Sequence, residues 1–139
     1  MQVRLAHGRG AIPLSCARKS TRSNSATSIS PATWQDWRDK GALLVIVTAS
    51  PSLVVRPFAE RLQADVLIGT EFAFDGADRV TGAFSTANCR GPEKVARLEA
   101  RFGQGVRLAA AYGDTSGDRE MLAIAETAGY RVFTGVPAL

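Results

Sequence analysis

The segment AAYGDTSGDREML, residues 110–122, closes an apolar run with two aspartates four positions apart, Asp114 and Asp118, set among glycines and hydroxyls. Two carboxylates so placed suit a hard divalent cation such as magnesium, which takes oxygen ligands and keeps several waters. Acids at a helix start are also favoured by the helix dipole alone, so both readings stand at this point. The spacing does not match a calcium-binding EF-hand loop. A second candidate is Lys94 in GPEKVARL. A cation in the first turn of a helix opposes the dipole, so it is either a solvated lysine balanced by Glu93 or a charge aimed at a phosphate. A third is the pair Thr48 and Ser50, small hydroxyls just after an apolar run and just before a helix start. Backbone amides at such a place favour an anion; the alternative for Ser50 is a plain N-cap.

These side chains need elements to carry them. TWQDWRDKG reads as a helix stopped by Gly41, and the apolar run after it as a strand covered on both faces. A helix follows from Pro51 to about residue 63, with a bend expected at Pro57. DVLIGT reads as a strand and residues 71–84 as a hairpin around Asp75, Gly76 and Asp78. Residues 91–103 make a helix with Pro92 in its first turn and Gly103 beyond its end. VRLAAAY is then a strand, residues 117–129 a helix, and YRVFTGV a strand. Strand and helix alternate, which predicts an α/β fold with a doubly wound, mostly parallel sheet. In such sheets ligands sit beyond the carboxyl ends of the strands, where Thr48, Ser50 and Asp114 fall.

At 139 residues and 45% hydrophobic, the chain suits one domain. Its net charge of +4 is local: residues 1–30 hold Arg4, Arg9, Arg18, Lys19 and Arg22 and no acid, while residues 31–139 are close to neutral. The basic stretch lacks both an amphipathic period and a signal-peptide core. It has too little apolar surface to offset its ordering entropy, which predicts a disordered extension over residues 1–30 and an ordered core over 31–139. Without interleaved aromatics to stack bases, it does not read as a nucleic-acid binder. The apolar run at 42–49 is far short of the roughly 20 residues of a membrane span, so no transmembrane segment is expected. Cys16 and Cys89 fit no disulfide framework or metal clip and read as free thiols in a reducing, cytoplasmic setting.

VTAS, GPEKVARL and YGDTSGDREML, in this order, resemble motifs two, three and four of the haloacid dehalogenase superfamily of phosphohydrolases. Over residues 31–139 the likeness is to the branch of phosphoserine phosphatases and bacterial phospholipid-headgroup phosphatases, whose members often carry a segment like residues 88–98. The resemblance implies a magnesium-dependent phosphomonoester hydrolase working through an aspartyl-phosphate on a small substrate, phosphoserine-like or a lipid headgroup phosphate. It implies catalytic roles for Thr48, Lys94 and Asp118. Thr48, Ser50 and Lys94 would hold the phosphoryl group, Asp114 would bind magnesium, and Asp118 would support both the metal site and the lysine. Family members often carry Asn where this chain has Gly117. The family's nucleophile belongs to an Asp-x-Asp-x-Thr motif on a central strand upstream of motif two, and no two aspartates here flank a single residue. Asp36 and Asp39 lie inside a helical pattern and cannot stand in for it. The expectation is therefore a truncated fold lacking that strand and the helical cap. It is either a phosphatase portion without its nucleophile or a noncatalytic module that keeps a phosphate and metal cradle.

Overall fold

Leu44 and Ile46 are buried on one side of a strand, Val45 and Val47 on the other, so LLVIV must lie at the centre of a covered sheet. The computed structural model describes residues 2–5 and 31–130. Its elements run β1 (Gln2–Leu5), α1 (Pro31–Asp39), β2 (Leu43–Pro51), α2 (Ser52–Arg61), β3 (Val66–Thr70), β4 (Phe72–Phe74), β5 (Val80–Phe84), α3 (Pro92–Phe102), β6 (Leu108–Gly113), a 3-10 turn (Ser116–Asp118), α4 (Arg119–Ala123) and β7 (Ala125–Tyr130). The main sheet has the order β3-β2-β1-β6-β7, and β4 pairs with β5 in a separate hairpin.

β2 pairs in parallel with β3, and β6 with β7, while β1 is antiparallel to both β2 and β6. Every strand of the main sheet except β1 thus points the same way, and the expected mostly parallel α/β sheet is present. Its two faces carry separate cores. Leu98 of α3 and Met121 of α4 pack with Val45, Val47, Leu108 and Ala111 on one. Trp34 of α1 and Ala59 of α2 pack with Leu44 and Ile46 on the other. Helices on both faces make the sheet doubly wound.

Two expectations change. The ordered core was to begin near Pro31, yet Gln2–Leu5 form a strand that fills the slot between β2 and β6. The reason is long-range: both neighbours would otherwise present bare ladder groups in the middle of the sheet, and a short segment of almost any composition can pair with them. Residue 1 and residues 6–30, the rest of the expected extension and with it Cys16, lie outside the described residues. The second change is at the carboxyl side. A helix over residues 117–129 was expected, but α4 ends at Ala123 and residues 125–130 are strand. The Leu108 amide donates to the Ile124 carbonyl at 3.1 Å, which draws the chain out of the helix and into the ladder along β6. The strand expected over 130–136 lies outside the described residues beyond Tyr130.

Local signals otherwise hold. Gly41 ends α1 at φ +71°, a left-handed conformation that favours glycine. Asp75 takes the amides of Ala77 and Arg79 in the hairpin turn. Cys89 is a free, buried thiol whose pKa burial pushes up, which keeps it unreactive. Among the described residues no helix is long and apolar enough to cross a membrane.

Candidate active site

Three chain segments meet at the carboxyl ends of β2 and β6. The first follows β2's buried run, where the Thr48 Oγ1 accepts the Ser50 amide at 3.1 Å. Ser50 is exposed and does not cap α2, whose N-cap position is Pro51 with no side-chain cap bond. The plain N-cap reading of Ser50 is therefore not the one realised.

The second segment is the start of α3. Lys94 is buried at 4% exposure, and its Nζ donates to Asp118 Oδ1 at 2.5 Å in an ion pair. Glu93 pairs with Arg97 at 2.9 Å. Arg97 also donates to the carbonyls of Gly69 and Ala87, latching α3 to the end of β3 and to the loop before the helix. The register of α3 is fixed by these bonds, and with it the position of Lys94.

The third segment is the loop after β6. Asp118 Oδ2 accepts the amides of Asp114 at 3.1 Å and Thr115 at 3.0 Å, and the Thr115 hydroxyl at 3.0 Å. Thr115 and Asp118 form a reciprocal capping box around the 3-10 turn. Burial by itself would push the Asp118 carboxyl up, but the hydrogen bond and charge of Lys94 and the donors of Thr115 outweigh it and hold the group below the usual carboxylate range. Gly113 is required at its position, because a Cβ there would lie 2.5 Å from Asp118 Cβ.

Thr48, Ala49, Ser50, Lys94, Asp114, Thr115 and Asp118 line one cavity of about 240 Å³. All five residues singled out from the sequence are thus brought together. Both Asp118 oxygens are engaged by Lys94 and the loop, and Asp114 is exposed and lines the cavity. Asp36 and Asp39 lie on α1 and do not line the cavity. Sequence reasoning missed Thr115, although the T-x-x-D spacing of a capping box was there to be seen. It also missed Thr70, buried at 1% exposure, whose hydroxyl donates to the Ala49 carbonyl at 2.8 Å and accepts the Cys89 amide at 3.1 Å. This hydroxyl ties the β2 end to the segment before α3, and no local signal marks such a bridge.

The sequence pattern of haloacid dehalogenase-like hydrolases matches residues 31–123, which spans all three segments of the cavity. The chain belongs to this family. Within it, the chain is similar to the protein CicA of two Caulobacter vibrioides strains, 59% identical over 107 residues, covering 77% of this chain and 48% of the relative. It thus spans about half the length of the curated relatives it matches. A solved structure of a protein with unknown function from Bordetella pertussis Tohama I is similar with a TM-score of 0.60 at 25% identity, covering 67% of this chain and 44% of that one. As a haloacid dehalogenase-like hydrolase, the chain carries the family's fold with the slot between β2 and β6 filled by an antiparallel strand, β1.

Proposed function

We propose that this chain carries the phosphoryl-binding half of a magnesium-assisted phosphomonoester hydrolase, and that residues 1–139 alone bind a phosphoryl group without turning it over. The observation that carries this reading is the buried Lys94–Asp118 pair in the wall of a cavity that also holds Thr48, Ser50 and Asp114. Phosphoryl transfer needs mainly positioning and charge neutralisation, and a lysine, hydroxyls and backbone amides supply both. In this reading the Thr48 hydroxyl and the Ser50 region hold phosphoryl oxygens, and Lys94 neutralises them. Asp118 acts as the positioning group that aims Lys94 and holds the loop.

Magnesium is compatible with the donor chemistry. Asp114 offers a hard oxygen at the cavity, and no group of three or more His, Cys, Asp or Glu side chains is gathered among the described residues. That combination suits an ion held by one carboxylate, waters and the substrate's own phosphate. When bound it would draw charge from the phosphoryl oxygens. The substrate class is a small phosphoester, phosphoserine-like or a lipid headgroup phosphate.

A noncatalytic reading is favoured by one specific observation. The sequence of β1 is QVRL, which brings no acid to the slot between β2 and β6. Binding without chemistry is accordingly what is proposed for the chain by itself, and hydrolysis for an assembly in which an Asp-x-Asp strand takes that slot. The test is calorimetric titration of orthophosphate with magnesium present. Binding should be lost in Lys94→Ala and should lose its magnesium dependence in Asp114→Asn. Phosphate binding unchanged by Lys94→Ala would overturn the reading.

A further inference from the structure

β2 and β3 lose register where the cavity begins. Val47 lies opposite Ile68 and Pro51 opposite Thr70, so Thr48, Ala49 and Ser50 on β2 face the single residue Gly69 on β3. The surplus forms a bulge, and its three residues are the ones β2 contributes to the cavity wall. A bulge disrupts the regular ladder and re-aims the side chains it carries. Gly69 lies hard against it: a Cβ there would stand 3.0 Å from the Ser50 carbonyl oxygen and 3.0 Å from the Ser52 amide nitrogen.

Thr70, at the end of β3 and 1% exposed, holds the bulge through its side chain. Its hydroxyl donates to the Ala49 carbonyl at 2.8 Å and accepts the Cys89 amide at 3.1 Å. A hydroxyl both donates and accepts, so one side chain bridges two backbone groups. Cys89 leads directly into α3, where the Lys94 amide bonds the Gly91 carbonyl at 3.1 Å. Arg97 Nη1 anchors the same helix to the Gly69 carbonyl at 2.5 Å. The end of β3 thus grips both walls of the cavity, the bulge with Thr48 and Ser50 on one side and the helix of Lys94 on the other.

We propose that Thr70 is a positioning residue of the phosphoryl site, whose hydroxyl sets the spacing between the β2 bulge and Lys94 without lining the cavity. This rests on the phosphoryl-binding reading of that cavity and adds the group that holds its two walls together. Valine has nearly the shape of threonine but is not equivalent here. It leaves the Ala49 carbonyl and the Cys89 amide without the hydroxyl that joins them, and the two walls are then free to part.

The experiment is calorimetric titration of orthophosphate, with magnesium present, into the full chain at a temperature where circular dichroism shows each variant folded. Thr70→Val should weaken binding about tenfold, whereas Thr70→Ser, which keeps the hydroxyl, should stay within about twofold of the unmodified chain. Trp34→Phe serves as the control for lost stability, because it perturbs the core on the sheet face opposite α3 and touches neither wall. Its phosphate affinity should also stay within about twofold. Binding unchanged in Thr70→Val, binding not recovered in Thr70→Ser, or equal weakening by Trp34→Phe each overturns the positioning role. If Thr70→Val does not fold, Gly69→Ala decides: it leaves the hydroxyl in place, presses a methyl onto the Ser50 carbonyl and the Ser52 amide, and should weaken binding about tenfold. Unchanged binding in that variant overturns the proposal. Loss of binding in Lys94→Ala shows that the cavity reading survives such a result. If the unmodified chain binds no phosphate, or Lys94→Ala changes nothing, the cavity reading fails and the role of Thr70 falls with it.

Discussion

Lys94 and Asp118 form a buried ion pair, with side chains 4% and 2% exposed, and taking one partner from such a pair is costly because the other remains desolvated. Asp118→Asn should therefore destabilise the chain by about 3–5 kcal/mol at neutral pH, read from urea unfolding. A loss below about 1 kcal/mol, the range of a solvated surface pair, would show the two side chains to be exposed. The pH dependence has a definite sign. The folded carboxyl of Asp118 is depressed, so its contribution is fully present above the unfolded pKa of about 3.9 and disappears as pH falls through the lower folded value. Between pH 6 and pH 3 the wild-type melting temperature should fall further than that of Asp118→Asn; equal falls would remove Asp118 from the acid response. At this scale the grouping of these side chains was legible, because Lys94 sits where the helix dipole disfavours it and Asp114 and Asp118 follow a buried strand, and all three line one cavity. Thr115 and Thr70 were not legible. Their contacts come from what lies across the site, namely the Asp118 carboxylate and the Ala49 carbonyl.

β2, α3 and β6 were readable from local pattern, since each carries its own signature: a doubly buried apolar run, a Pro-started and Gly-ended amphipathic helix, and a second apolar strand. β1 carries none. Its place is set by the needs of β2 and β6, which are bonded to it on either side in register from Gln2 opposite Ile46 and Tyr112 to Leu5 opposite Leu43 and Leu108. In a strand flanked on both sides, each interior amide points at one neighbour or the other, so Val3→Pro must delete a ladder bond. The expected cost is about 1–3 kcal/mol for the carbonyl left unpaired. Urea unfolding checks it, and an unchanged midpoint would mean that residues 2–5 do not hold the sheet together. The same logic explains the shortened α4, whose Ile124 carbonyl serves the β6 ladder in place of a further helical turn.

For the whole molecule, the strand between β2 and β6 is QVRL and brings no acid to that place. On the proposed reading, residues 1–139 should give no turnover of p-nitrophenyl phosphate above background with magnesium. An added segment carrying an apolar strand and Asp-x-Asp-x-Thr, together with its cap, should restore turnover that Lys94→Ala abolishes. Activity of the unextended chain that vanishes on mutating Asp36 or Asp39 would place a nucleophile on α1. The central claim is that a phosphoryl group is held between the β2 end, Lys94 and the loop of Asp114. Its most direct test is the position of a heavy oxyanion, tungstate, located by anomalous diffraction in crystals of the chain. One tungstate should lie within hydrogen-bond distance of Lys94 Nζ and of Thr48 Oγ1 or the Ser50 backbone. A cavity without tungstate in crystals that bind it elsewhere would rule out a phosphoryl site there.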